Sequence, residues 1–269
     1  LALSFSLSAQ KIQVGPYSLR VNGTQQEKNH WGPSEVTYRV ANDSLVFQVS
    51  EFLWDEKTKT AQAKGGEIPG EKLGHKNARW QIDAMQFEPA NGTLRIISAD
   101  WIEGDQTKNG EGSLTLRRKD KYFSFEFRGS EPTTFTGEAW TAEGAPYYKD
   151  LRKGLRNGVL RFGNLGAMSA PLIAFLPDST ILVPTGRWTS LLSESDSLWR
   201  TELTGQWYPK SQTFHFKKLP GASNRALFED TFHEMRMSVD LGVLRVREKR
   251  IDFYQISGRN QVPAWLESK

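Results

Sequence analysis

Apolar and polar residues alternate with period two along most of this chain, and that pattern limits its fold more than any other feature. Val36, Tyr38 and Val40 alternate with Thr37 and Arg39, and Leu45, Phe47 and Val49 hold every second position of the next run. Phe123, Phe125 and Phe127 put three rings on one face of a run whose other face carries Tyr122, Ser124, Glu126 and Arg128. The habit returns at Leu160 and Phe162, Phe214 and Phe216, Leu244 and Val246, and Ile251 and Phe253. Successive side chains of a strand project to opposite faces, so such runs write one apolar face and one wet face. Parallel pairing would need crossover helices that the pattern does not supply. The expected fold is all-β: an antiparallel meander forming a sandwich or an elongated folded groove, with one or two short helices.

Dipeptides that favour turns punctuate the runs at Asn22-Gly23, Gly65-Gly66, Asn91-Gly92, Asn109-Gly110, Asn157-Gly158, Pro177-Asp178 and Pro220-Gly221. Tyr147, Tyr148, Leu151 and Leu155 stand at helical spacing, which predicts a short helical connection over 146–158 between a first half, 11–145, and a second, 159–269. Asn224 to His233 reads as another turn or two of helix. Residues 1–10 admit two readings: the tail of an export signal ending in small residues near Ala9, or a first strand alternating through Leu1, Leu3, Phe5 and Leu7. The first leads to the expectation of an exported protein, periplasmic or extracellular.

Several chemistries fall away on composition. The chain has no cysteine, which removes disulfides, thiolate metal sites and cysteine nucleophiles together. Its histidines, at 30, 75, 215 and 233, lack a second ligand at the spacings metal sites use, so no metal is expected. No glycine-rich phosphate loop, dinucleotide fingerprint or Gly-x-Ser-x-Gly elbow occurs, so no cofactor is expected. The 35 basic and 31 acidic residues are interleaved, so basic stretches such as Arg117 to Lys119 read as outward strand faces and nucleic acid is not an expected partner. No run reaches the roughly 18 apolar residues of a membrane-spanning helix.

Two kinds of residue remain as candidates. Asp100 and Glu103, beside Trp101, form the best local group of carboxylates, and a glycosidase needs two acids about 5 to 10 Å apart. Acids beside turns are more often solvated, so the protein reads as non-enzymatic, with a glycan hydrolase or lyase as the catalytic alternative. Asp105 to Glu111 carries oxygen ligands but lacks EF-hand spacing and reads as a hairpin turn. The aromatics are mostly core material. Trp54, Trp80, Trp101, Phe123, Phe125 and Phe127 are the candidate ligand face, since tryptophans stack on sugar rings and a continuous apolar row suits acyl chains.

Phe52-Leu-Trp-Asp-Glu-Lys-Thr-Lys-Thr-Ala-Gln-Ala-Lys-Gly-Gly66 resembles the strand–turn–strand unit of OstA-like lipopolysaccharide-transport proteins, with Ala78 to Asp83 and Asn91 to Ile96 as further rungs. Phe232 to Gly258 is similar to AsmA/TamB-like bridge proteins. These resemblances imply a folded β-groove whose apolar interior conveys lipid acyl chains. The functional expectation is therefore an exported protein that binds or conveys a lipid or glycolipid along an apolar groove. The alternatives are a carbohydrate-binding or carbohydrate-active sandwich, and a structural subunit of a cell-envelope assembly that joins protein neighbours through strand edges.

Overall fold

The computed structural model describes residues 6–40, 43–88, 92–119, 122–191, 197–219, 228–230, 235–257, 260–263 and 265–268. Strand accounts for 77% and helix for 2%, so the protein is all-β and its pairings are antiparallel. The chain forms two compact units: Leu1–Glu131 with Tyr147–Leu151, and Pro132–Pro146 with Arg152–Lys269.

The first unit is a meander of β1 (Ser6–Val14), β2 (Tyr17–Glu27), β3 (His30–Val40), β4 (Asp43–Asp55), β5 (Thr60–Pro69), β6 (Ala78–Glu88), β7 (Thr93–Glu103), β8 (Gln106–Lys119) and β9 (Tyr122–Gly129), each paired with the next. Tyr147–Lys149 add a last paired stretch on β9. Ser6 to Gln10, part of the segment with two readings, are paired in β1; residues 1–5 lie outside the described residues.

Alternation sets the inward face, but the phase slips once inside each of several strands. In β4 the buried positions are 45, 47 and 49, then 52 and 54; in β6 they are 80 and 82, then 85 and 87; in β7 they are 94 and 96, then 99 and 101. The slips in β6 and β7 coincide with register shifts near Ala84 and between Ile96 and Ala99, the signature of β-bulges, which bend a strand. Short polar residues cluster along this line: Ser50 Oγ donates to Lys64 O at 2.7 Å, beside Gly65, and Ser98 Oγ donates to Asp83 Oδ2 at 3.0 Å.

These slips explain why several glycine dipeptides are not turns. Asn22-Gly23, Gly65-Gly66, Asn109-Gly110 and Asn157-Gly158 all lie inside strands, whereas Pro177-Asp178 does connect two strands. The β7–β8 turn is Gly104-Asp105, with Gly104 at φ +58°. Asn109-Gly110 sits within β8, where a Cβ on Gly110 would lie 2.3 Å from Arg128 O and 2.7 Å from the Phe127 ring. Glycine is needed there for close approach and not for a turn. Pro220-Gly221 and Asn91 lie outside the described residues.

The second unit contains β10 (Thr133–Thr136), most of β11 (Thr141–Lys149), β12 (Arg152–Arg161), β13 (Ala167–Phe175), β14 (Ile181–Leu191), β15 (Ser197–Tyr208) and β16 (Thr213–Lys218). It continues through β17 (Phe228–Asp230), β18 (Met235–Ser238), β19 (Leu241–Arg245), β20 (Arg250–Ser257), β21 (Asn260–Pro263) and β22 (Trp265–Ser268). Strands β12 to β16 pair in sequence, and β16 then pairs with β19 and β19 with β20. A branch of β17, β18 and β22 leaves from Leu198-Trp199 of β15.

The helix expected over 146–158 is not present: the segment is the end of β11, a two-residue turn and most of β12. From Thr141 to Lys149 the even positions are buried, and Asp150 at φ +51° makes the turn. Tyr148 and Leu155 share helical spacing only because a turn separates the two strands that carry them. Of the second expected helix, 224–227 and 231–233 lie outside the described residues, and Phe228–Asp230 is strand.

Candidate functional site

The six candidate aromatics all belong to the core of the first unit. Trp54 is 8% exposed, Trp80 0%, Trp101 0%, Phe123 8%, Phe125 2% and Phe127 0%. Trp101 in β7 stacks on Phe125 in β9 at 5.4 Å with planes 2° apart, reaching across β8. The inward positions 110 and 112 of β8 are glycine, and a Cβ at Gly112 would lie 2.9 Å from the Trp80 ring. His75, itself buried, meets Trp101 and Phe125 edge-on at 5.2 and 5.3 Å, and its Nε2 lies 2.6 Å from Asp150 O. Burial pushes the Tyr148 phenol, also in this cluster, upward. A cavity of about 10 Å³ lies in the same core among Leu19, Phe47, Met85 and Phe87, too small for an acyl chain.

The candidate acids are not gathered into a pair by β7. Asp100 and Glu103 are three residues apart on one strand, which sends them to opposite faces. Asp100 Oδ1 accepts from Asn109 Nδ2 on the neighbouring strand.

A hollow of about 270 Å³ on the outer face of β7 to β9 is lined by Arg95, Glu111, Ser113, Glu126 and Arg128. Two of its charges, Arg128 and Glu126, are engaged with one another. Arg128 Nη2 lies 2.5 Å from Glu126 Oε1, and that hydrogen bond, the main cause, raises the arginine pKa. Lys149 stands 3.9 Å from the same carboxylate.

A concavity among the described residues lies wholly within the second unit, at three connections that alternation does not describe. They are the Gly137–Trp140 link between β10 and β11, the Phe162–Gly166 link after β12, and the Val246–Lys249 turn between β19 and β20. The cleft is open to solvent and has a volume of about 550 Å³, within the range of small-ligand sites. Its floor is apolar, from Phe162, Leu165, Val246, Ala139 and Trp140. Its rim is polar, from Glu138, Thr141, Arg161, Asn164 and Lys249.

Each wall is held from below. Gly137 N–H donates to Trp140 O at 2.9 Å, and the half-buried Trp140 ring stacks on Phe175 at 5.6 Å with planes 26° apart. The 162–166 link is pinned by a relay: Trp188 Nε1 donates to Ser190 Oγ at 3.0 Å, and Ser190 Oγ donates to Leu165 O at 2.8 Å. Gln212 joins the other two walls, its Nε2 donating to Glu138 Oε2 at 3.1 Å and its Oε1 accepting from Arg247 Nε at 2.8 Å. A smaller trough of about 320 Å³ on the outer face of β12 to β14 shares Arg161, Gly163 and Asn164 with the cleft.

Sequence reasoning passed over these residues because they sit in short connections distant in the chain. The available signal was local: Trp140 stands in a short link before β11, where its half-buried ring packs against the core of the second unit and still lines the cleft. Glu138 is the single carboxylate along the cleft among the described residues, so a two-acid hydrolytic pair is not assembled there. Comparison with protein-family models, with curated proteins and with solved structures finds no match for this chain.

Proposed function

We propose that the protein is a non-enzymatic carbohydrate-binding β protein that holds its ligand in the Trp140 cleft. The observation that carries this reading is a half-buried tryptophan, braced by Phe175, at the floor of a cleft whose rim is polar. A sugar ring presents apolar C–H faces and a hydroxyl edge, which match an indole platform and a hydrogen-bonding rim respectively. The row of Phe123, Phe125 and Phe127, the alternative place for an acyl chain, is buried, with neighbouring rings packed on Phe125 and Phe127. Export to a compartment where polysaccharides lie belongs to the same proposal.

The test is calorimetric titration of the intact chain with a panel of neutral and acidic hexasaccharides and with a fluorescent dodecanoate probe. Binding of at least one oligosaccharide, lost in Trp140→Ala with the thermal midpoint retained, is the expected result. Binding of none of the panel, or binding indifferent to Trp140→Ala, overturns the reading. Dodecanoate binding that Trp140→Ala abolishes reassigns the cleft to an amphipathic lipid.

A further inference from the structure

We infer that the ligand of the Trp140 cleft is an acidic glycan, one bearing carboxylate or sulfate groups, and that Arg161 and Lys249 read its charge. The inference rests on the carbohydrate reading of the cleft and adds the substrate class. Arg161, the last residue of β12, and Lys249, in the β19–β20 turn, both line the cleft and both are exposed, far apart in the chain of the second unit. Among the described residues neither is engaged in an ion pair, unlike Arg128, held by Glu126 on its own strand, or Arg245, held by Asp252 on the neighbouring strand. Glu138, the acid of the rim, already accepts from Gln212, which in turn accepts from Arg247. The rim therefore offers two uncommitted cations against one acid with a hydrogen bond in place.

Arg161 also lines the adjoining trough, where Ala167, Ser169 and Gly166 keep the surface low. It stands at the junction of two hollows, so a chain of sugars lying on Trp140 and continuing over β12 to β14 passes this guanidinium. An arginine engages a carboxylate or sulfate through two parallel N–H bonds, giving orientation as well as attraction. A neutral glycan leaves both cations with nothing but water.

The experiment pairs each acidic probe with a neutral counterpart: hexagalacturonate with its methyl ester, and a sulfated galactan hexamer with its desulfated form. In about 50 mM salt, one acidic member is expected to bind at least about tenfold tighter than its counterpart, a preference that shrinks in about 500 mM salt. Arg161→Gln and Lys249→Gln each reduce that preference, Arg161→Lys retains part of it, and Trp140→Ala weakens acidic and neutral forms alike. Equal binding of both members of each pair, unaffected by Arg161→Gln, overturns the acidic assignment while the carbohydrate reading stands. Failure of every acidic and neutral glycan to bind removes both.

Discussion

The indole of Trp140 occupies the space that a side chain on Gly137 would need: a Cβ at Gly137 would lie 2.4 Å from Trp140 Cε2. The two residues close a tight link through Gly137 N–H and Trp140 O, so the glycine is what lets the ring lie flat against its own turn. In Gly137→Ala the half-exposed ring has solvent to swing into. The expected outcome is a weakened glycan titration with a thermal midpoint close to that of the parent; unchanged affinity would show that the ring is not the platform.

Phe125 is 2% exposed and stacked between β7 and β9, so its removal leaves a ring-sized hole in a packed core. Phe125→Ala is expected to cost about 3–5 kcal/mol in chemical denaturation, the transfer and cavity contributions adding. A loss below about 1 kcal/mol would mean that this face is open to solvent.

Gly110 separates two accounts of Asn109-Gly110. In a hairpin turn an alanine would be resisted by backbone conformation; inside β8 it is resisted by the carbonyl of Arg128 and the ring of Phe127. Gly110→Ala is expected to destabilise by about 1–3 kcal/mol through overpacking. The double variant Gly110→Ala, Phe127→Leu should recover part of the ring clash yet not the backbone one, measured as departure from additivity in a double-mutant cycle.

His215 gives the second unit a component of acid sensitivity. Burial first, then Lys217 and Arg245, holds its pKa below the ordinary 6.5. The unfolded chain therefore takes up a proton at higher pH than the folded one, so stability falls as pH drops below about 6.5 and levels off beneath the folded value. His215→Gln, placed to keep a hydrogen bond to Thr213 Oγ1, should flatten the thermal midpoint between about pH 7.5 and 5 relative to the parent. Parallel profiles for the two proteins would end this account.

Alternation is a property of neighbours along one chain, so the sequence by itself determined that the protein is strand, and which side of each strand is apolar: Phe123, Phe125 and Phe127 do share one buried face. It did not determine where strands end. Asn109-Gly110 and Gly65-Gly66 carry turn chemistry, yet they lie within strands because glycine there makes room for a ring or a bulge contributed from another strand. Tyr147, Tyr148, Leu151 and Leu155 carry helical spacing, yet Asp150 turns between two paired strands, of which β11 packs by parity and β12 does so but for Leu155. Only the tertiary structure could decide these, since the deciding contacts come from distant positions. The same holds for the cleft: Trp140, Arg161 and Lys249 have nothing in common locally, and strand pairing across the second unit brings their connections to one hollow.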